Sequence, residues 1–140
     1  MLIYVDTNIY MDHFDGRVDK LKPLGEFAFQ LFKKVIVIEG EFKIVVSPVV
    51  LEELFYNSYE EEIKQLLSDF ESKGKIVHVE VSQQDIQKAR FICNKRKTSF
   101  NDTLHAVLAN KSKAEYLVTR NIKDFIELQD LIKVTLPENL

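Results

Sequence analysis

The sequence lacks several features that define common classes of protein, and each absence narrows the range of possible functions. Cys93 is the only cysteine among 140 residues, so an internal disulfide and a zinc site built from cysteines are both excluded. Only four glycines occur and they are not clustered, which excludes a glycine-rich loop that holds nucleotide phosphates. A single cysteine fits a reducing compartment, and we expect the protein in the cytoplasm.

Long apolar runs and an excess of positive charge are also missing. Every apolar stretch is well below the roughly 18 residues that a membrane helix needs, and the N-terminal segment has no basic region, so we expect neither a membrane span nor a signal peptide. The net charge is -3, so the chain has no general positive field for contacts with many phosphates. Any contact with nucleic acid must therefore be local.

What the sequence does contain predicts an alternation of strands and helices around one core. Hydrophobic residues make up 46% of the chain, and its length suits a single domain over residues 1–140. The segment LIYV is a continuous apolar run, which is typical of a strand buried on both faces. The predicted strands cover residues 2–5, 43–46, 75–81, 116–119 and 132–136, and Pro137 is expected to end the last one.

The segments between these strands have helical spacing of their apolar residues or helix-capping signals. The predicted helices cover residues 7–14, a segment after Pro23 that ends near Gly40, a segment that begins at Pro48 after a Ser47 cap, residues 60–72, a segment that begins at Ser82, and residues 99–109. Residues 121–125 are predicted to form a turn or a short helix. Strands separated by helices indicate parallel pairing with right-handed crossovers. The predicted fold is therefore α/β, a three-layer α/β/α sandwich with a central parallel sheet of four or five strands.

Acidic residues follow or flank several of the predicted strands. Asp6 closes the first strand, Glu53 lies in the helix after the second, and Asp102 opens the helix before the fourth. Asn121 and Asp124 come after the fourth strand. Functional groups in such sheets collect at the carboxyl ends of the strands, so these side chains are expected to meet at one edge. Two carboxylates about 4 Å apart repel by roughly 4 kcal/mol at an effective dielectric constant of 20, so one of them must protonate or a cation must bind between them.

Four segments of the chain resemble the four motifs of PIN domains, in the order of that family. They are LIYVDTN, SPVVLEEL, NDTLHAVLA and LVTRNIKDF, and they span nearly the whole chain. The resemblance implies a phosphodiesterase that depends on Mg²⁺ or Mn²⁺ and is commonly an endoribonuclease acting on RNA. In many prokaryotic members it implies the VapC-like toxin of a toxin and antitoxin pair, and it favours a homodimer.

The resemblance also implies which residues carry the chemistry. Asp6 matches the first aspartate of the family pattern, and Asp102 matches the aspartate before its helix of small and apolar residues. Glu53 matches the helical glutamate better than Glu52 does, because it directly precedes Leu54. Asp6, Glu53 and Asp102 are therefore the expected catalytic residues and metal ligands.

At the fourth acidic position of the family this sequence has Asn121 instead of an aspartate. Its amide still offers a carbonyl oxygen to a metal, and Asp124, three residues on, restores the charge if the turn is helical. Both are therefore included among the expected metal ligands, and the number of bound ions stays open. The residues expected to position the substrate are Thr7, Asn8, Thr119 and Arg120.

Each of these residues also has an ordinary structural explanation. Asp6 is a good cap for the first helix, and Asp102 is either a cap or a partner of Lys97. Glu52 and Glu53 are adjacent on one helix, so they cannot face the same way and one of them points to solvent. The three histidines have no zinc-ligand spacing, and His105, one turn beyond Asp102, is expected to be structural. The basic residues that either steer phosphates or are simply solvated are Lys95, Arg96, Lys97 and Arg120.

Two other functions compete with a nuclease. A phosphoacceptor receiver domain needs an aspartate at the tip of the third strand, where VHVEVSQQD offers only Glu80 and the later Asp85, and a lysine near Arg120. That interpretation fails on residue placement. The stronger alternative is a PIN-like module that binds RNA or a protein partner and has weakened catalysis, since Asn121 replaces an acid.

Overall fold

The computed structural model describes residues 1–37 and 42–140, so the predicted helix end near Gly40 lies outside the described residues. The strands are β1 (Leu2–Val5), β2 (Lys43–Val46), β3 (Ile76–His78), β4 (Tyr116–Val118) and β5 (Val134–Thr135). The α-helices are α1 (Thr7–Asp15), α2 (Leu24–Val37), α3 (Pro48–Tyr56), α4 (Glu60–Ser72), α5 (Gln83–Arg96) and α6 (Phe100–Lys111). Two 3₁₀ segments cover Ile122–Leu128 and Pro137–Asn139.

The five strands form one parallel sheet in the order β3-β2-β1-β4-β5. The order reverses between β1 and β4, because the chain first builds outward from β1 through β2 and β3 and then returns to its other side. Val5 pairs with Val118 in this register, so Asp6 and Thr119 follow neighbouring strand ends. The crevice at such a reversal is the usual ligand site of open parallel sheets.

Helices cover both faces of this sheet. Helix α1 packs on α2 and α3, and α3 packs on α4, whereas α5 packs on α6. Right-handed crossovers place the first group on one face and the second group on the other. The β1 residues Ile3, Tyr4 and Val5 lie between the two layers with no exposed surface. The predicted three-layer α/β/α sandwich is confirmed, with five strands.

The edge strands are shorter than the sequence pattern predicts. Strand β3 ends at His78 instead of continuing to residue 81, and β5 covers two residues instead of 132–136. Each edge strand pairs with a single neighbour, so its length is limited by that one register and not by its apolar pattern. Strand β5 ends before Pro137, and Pro137 begins the final 3₁₀ segment, where its fixed φ suits the first position.

The junction of α1 and α2 allows no side chain at Gly25. A Cβ atom there would lie 2.7 Å from the Asp12 carbonyl oxygen and 2.7 Å from the Gly16 Cα. The close approach holds the end of α1 against the start of α2 and so supports the helix that follows Asp6. In the described part of the chain, no helix combines the length and apolar character needed to cross a membrane.

Candidate active site

Asp6 lies at the reversal point of the sheet and is held there by three hydrogen bonds. The backbone N–H of Thr7 donates to its Oδ1 (2.8 Å), and the Thr119 hydroxyl donates to its Oδ2 (2.7 Å). The Asn8 amide donates to Oδ2 at 3.4 Å. Asp6 therefore caps α1, as its structural explanation required, and at the same time presents a carboxylate with a fixed orientation to the crevice.

A cavity of about 190 Å³ opens beside Asp6. Its lining comes from four distant segments of the chain and consists of Asp6, Thr7, Asn8, Met11, Glu53, Asn101, Asp102, His105 and Asn121. The fold thus brings the three acids of the sequence analysis, together with Asn121, to one place. Thr7 and Asn8 also face this cavity, whereas Glu52 is exposed and is not part of the lining.

Asp102 is in the first turn of α6, where its backbone N–H donates to the hydroxyl of the Ser99 cap (3.1 Å). Burial raises the pKa of Asp102 above its ordinary value, although Ser99 lowers it in part, and the negative charges of Asp6 and Asp124 raise it further. Asp6 lines the same cavity as Asp102, and Asp124 acts on Asp102 through its charge from outside the lining. A cation bound among them would relieve this cost.

Glu53 and Asp6 both lie close to one nitrogen atom of His105. Glu53 Oε1 lies 2.7 Å from His105 Nε2, and Asp6 Oδ1 lies 3.8 Å from the same atom. The two carboxylate oxygens are therefore no farther apart than the sum of these distances, although they come from β1 and α3. The imidazole ring stands at the wall of the cavity between them.

The fourth acidic position has the geometry of a single 3₁₀ turn. Asn121 lines the cavity, and the backbone N–H of Asp124 donates to its carbonyl oxygen (3.0 Å). With three residues per turn, residues 121 and 124 lie on the same side of this segment. Asp124 is exposed and does not line the cavity, but its charge raises the pKa of Asp102. It therefore borders the site next to Asn121.

Thr119 and Arg120, which were predicted to position the substrate, have partners within the protein. Thr119 is fully buried, and besides holding Asp6 its hydroxyl accepts the backbone N–H of Asn121 (3.1 Å). The Arg120 guanidinium pairs with Glu138 (2.8 Å) and lies over the Phe27 ring. Any effect of Thr119 on a substrate is therefore indirect, through Asp6 and Asn121.

The basic run at the end of α5 does not contribute to the lining of the cavity. Arg96 makes a two-pronged ion pair with Asp130 (2.6 and 3.0 Å), and Lys95 lies over the Phe91 ring. Within the described residues, Lys97 makes no ion pair with Asp102. Lys97 instead ends α5 in the left-handed conformation (φ 60°). The alternative in which Lys97 neutralises Asp102 is therefore wrong.

His105 is the residue of the site that the sequence analysis missed. It is 1% exposed, and its Nδ1 lies 2.6 Å from the hydroxyl of Tyr4. Burial alone would lower the pKa of His105, but the hydrogen bond to Glu53 and the charges of Asp6, Glu53 and Asp102 outweigh it, so the pKa is raised. Two sequence signals agree with a role of His105 in the site, although neither of them specifies its partner. His105 is one turn from Asp102 on α6, and a tyrosine in a buried strand needs a partner for its hydroxyl.

The oxygen donors of the cavity fit Mg²⁺ or Mn²⁺ better than a softer metal. Asp6, Glu53 and Asp102 supply carboxylates and Asn121 an amide oxygen, which are the ligands that hard divalent ions prefer. Among residues 1–37 and 42–140, no three acidic, histidine or cysteine side chains are arranged as a cluster that could hold a metal ion by themselves. Mg²⁺ does not require one, because it keeps several waters and commonly uses one or two protein carboxylates.

Fold and cavity together define an α/β protein with an acidic site at the carboxyl edge of a parallel sheet. The chain belongs to the PIN domain family, a family of nucleases, whose profile matches residues 3–131. No curated protein sequence matches the chain significantly.

Several solved structures share this fold. VapBC2 from Rickettsia felis, bound to a promoter DNA fragment, superposes with a TM-score of 0.68 at 21% identity over 97% of this chain and 98% of that one. VapBC-1 from nontypeable Haemophilus influenzae gives 0.64 at 19% identity over 98% of each chain. VapC20 from Mycobacterium tuberculosis, a toxin that cleaves the sarcin-ricin loop, gives 0.54 at 15% identity over 82% of this chain and 86% of that one. At these identities the likeness concerns the fold.

Proposed function

We propose that residues 1–140 act as one nuclease unit, a metal-dependent endoribonuclease that hydrolyses RNA phosphodiester bonds and belongs to the VapC-like toxins. One observation carries the proposal. Asp6, Glu53 and Asp102 come from distant segments and line a single cavity at the point where the strand order reverses. The structural likeness to VapC20, a toxin that cleaves the sarcin-ricin loop, supports RNA as the substrate.

The proposed roles follow from the positions of the side chains. Asp6, Asp102 and Glu53 would hold Mg²⁺ or Mn²⁺, and Asn121 would contribute its carbonyl oxygen directly or through water. A bound divalent ion would lower the pKa of the attacking water and would stabilise negative charge on the scissile phosphate. Glu53 and Asp102, which line the same cavity, would also help to position that water for attack on the phosphate. By family resemblance the products carry a 5′-phosphate and a 3′-hydroxyl, so the 2′-hydroxyl of the RNA has no catalytic task.

The proposal extends to partners and location. Solved relatives by fold include toxin-antitoxin complexes from Klebsiella pneumoniae and other bacteria. We therefore propose an antitoxin protein as a partner, a homodimer as the working assembly and the cytoplasm as the compartment. Sedimentation of the purified chain tests the dimer.

A weakened module that binds RNA or a protein partner is the second candidate. Two observations favour it: Asn121 stands where the family has an acid, and the described residues hold no closed metal cluster. Both candidates predict RNA binding. They differ in whether the purified chain cleaves RNA when a divalent ion is supplied.

Cleavage of single-stranded and structured RNA separates the two candidates. The wild type is assayed with Mg²⁺, with Mn²⁺ and with EDTA, beside Asp6→Asn and the control Glu61→Gln, which changes an exposed acid on α4. Loss of a residue that only orients a metal ligand costs about 10- to 100-fold, so loss of a ligand itself is expected to cost at least about 100-fold. Activity in EDTA, or undiminished activity of Asp6→Asn, contradicts the nuclease proposal. Folded wild type that binds RNA without cutting it favours the binding module.

A further inference from the structure

A buried hydrogen-bond chain leads to the cavity and has no part in the roles proposed so far. Ser47 Oγ lies 2.7 Å from the Tyr4 hydroxyl, which lies 2.6 Å from His105 Nδ1. His105 Nε2 in turn lies 2.7 Å from Glu53 Oε1. Ser47 and Tyr4 have no exposed surface, and the chain reaches the cavity at Glu53, whose side chain is 31% exposed.

This hydrogen-bond chain connects the elements of the fold that carry the site. Tyr4 belongs to β1, two residues before Asp6, and Ser47 caps α3, which bears Glu53. His105 is on α6 together with Asp102. One set of hydrogen bonds thus spans the three elements that supply the three acids.

The direction of the last hydrogen bond follows from the chemistry of its two groups. An ionised carboxylate only accepts, so His105 Nε2 carries the hydrogen and donates it to Glu53. The Tyr4 hydroxyl engages the opposite nitrogen, so the ring cannot turn without leaving a buried polar atom unpaired. The Tyr4 hydroxyl therefore fixes the orientation of the Nε2–H donor through the opposite side of the ring.

We propose that His105 is a positioning residue, whose Nε2–H holds the Glu53 carboxylate in the cavity beside Asp6, with Tyr4 fixing the imidazole ring. This inference rests on the proposed nuclease function. Without the donor, the Glu53 side chain is free to rotate toward solvent, because it is the one partly exposed member of the chain. A pre-oriented carboxylate costs less to order when a metal and its water bind.

The opposing explanation is that His105 is an ordinary buried histidine and that Glu53 merely satisfies it. The two explanations differ in what they predict for metal binding without RNA. A structural histidine affects the unfolding temperature alone, whereas a positioning histidine also affects the affinity for the ion.

The test measures the Mn²⁺ dissociation constant by calorimetry, without RNA, together with the thermal unfolding of each variant. His105→Leu removes the donor and keeps a buried apolar side chain, and it is expected to weaken Mn²⁺ binding about 10- to 100-fold. His105→Gln places an amide N–H near the position of Nε2 and is expected to restore most of the affinity. Tyr4→Phe removes one hydroxyl from the chain and is expected to weaken binding in the same direction by a smaller factor.

His78→Gln is the matched control, since His78 forms another histidine–glutamate pair, with Glu71 (3.4 Å), but on the exposed surface. Its Mn²⁺ affinity is expected to equal that of the wild type. Wild-type affinity in folded His105→Leu and Tyr4→Phe overturns the inference while leaving the nuclease proposal intact. If His105→Leu does not fold, Tyr4→Phe alone decides, and unchanged affinity there overturns it. If the wild type binds no Mn²⁺, both the proposed metal-dependent nuclease and the positioning role of His105 are contradicted.

Discussion

At the scale of single residues, the electrostatic cost of placing several acids in one cavity is visible in the pKa of Asp102. Its raised pKa reports burial and the nearby charges of Asp6 and Asp124. An amide at position 121 keeps one further negative charge out of the same cavity. Without a cation this lowers the repulsion among the acids. When a cation is bound, the amide of Asn121 attracts it less strongly than a carboxylate would.

Asn121→Asp is therefore expected to tighten Mn²⁺ binding. At about 4 Å a divalent ion and one added carboxylate attract by roughly 2 kcal/mol even at the dielectric constant of water, which exceeds tenfold in affinity. Calorimetry of the RNA-free protein measures the change. Asn94→Asp adds the same charge to an exposed position of α5 and serves as the control. Equal tightening in both variants would mean that net charge, and not the cavity, is responsible.

Asp12 provides a separate prediction on pH and stability. Burial raises the pKa of Asp12, whose Oδ2 has no hydrogen-bond partner in the described structure, and Arg17 and Arg120 offset only part of this shift. Because the folded-state pKa is the higher one, the stabilisation is fully present below the unfolded-state pKa and is lost as the pH rises through the folded-state pKa. Asp12→Asn is therefore expected to gain stability relative to the wild type from acid to neutral pH, as measured by urea unfolding.

Asp85 serves as a control, because its pKa is shifted in the direction opposite to that of Asp12. Its desolvation is outweighed by hydrogen bonds from Lys111 and Ser82, so its pKa is lowered. Its stabilisation is present above the unfolded-state pKa and is lost as the pH falls through the folded-state pKa. Asp85→Asn is thus expected to lose stability relative to the wild type over the pH range in which Asp12→Asn gains. Parallel trends in the two variants would contradict the assignment for Asp12.

At the scale of elements, local signals predicted the helices well and the edge strands poorly. The Ser47 and Ser82 signals lie directly before the helices that they begin, and each has the expected capping contact. The length of β3 depends instead on how far β2 runs beside it. That register is a contact between distant segments, and a single sequence does not encode it locally.

The two serine caps allow a prediction that separates stability from site geometry. Ser47 accepts the backbone N–H of Val50 on the helix that bears Glu53, whereas Ser82 forms a capping box with Asp85 on α5, which bears none of the three acids. Loss of either cap is expected to cost about 1 kcal/mol in the free energy of unfolding. Ser47→Ala is also expected to weaken Mn²⁺ binding, because the Tyr4 hydroxyl loses a partner, and Ser82→Ala is not. A matching loss of affinity in Ser82→Ala would show that the effect is general.

At the scale of the whole molecule, strand order explains which parts of the site were predictable. Asp6, Glu53 and Asp102 each follow from a local motif, and a parallel sheet brings its carboxyl ends together. The contact of Tyr4 with His105 joins residues 101 positions apart, and that of His105 with Glu53 joins residues 52 apart. No periodicity indicates such pairs. They depend on contacts between β1, α3 and α6, which are far apart in the sequence and meet only in the folded chain.

The distribution of charge over the molecule predicts how RNA binding responds to salt. The net charge is -3, and Arg96 and Arg120 already pair with acids, so few cations remain for phosphates near the site. Lys22 and Lys123 are exposed and line a depression of about 390 Å³ that shares Asn121 with the acidic cavity. Among the described residues, Lys22 and Lys123 are therefore two cations in reach of an RNA strand that enters the site.

Two such contacts to single-stranded RNA give a slope of about -1.4 in a plot of log affinity against log salt concentration, since each neutralised phosphate contributes about -0.7. Fluorescence anisotropy with the inactive variant Asp102→Asn measures this slope. Adding Lys22→Gln and Lys123→Gln is expected to flatten it, whereas Lys95→Gln and Lys97→Gln, at the end of α5, leave it unchanged. A slope steeper than about -3 would require more than four phosphate contacts, and a molecule with this balance of charge would then have to bind RNA over a surface well beyond the acidic cavity.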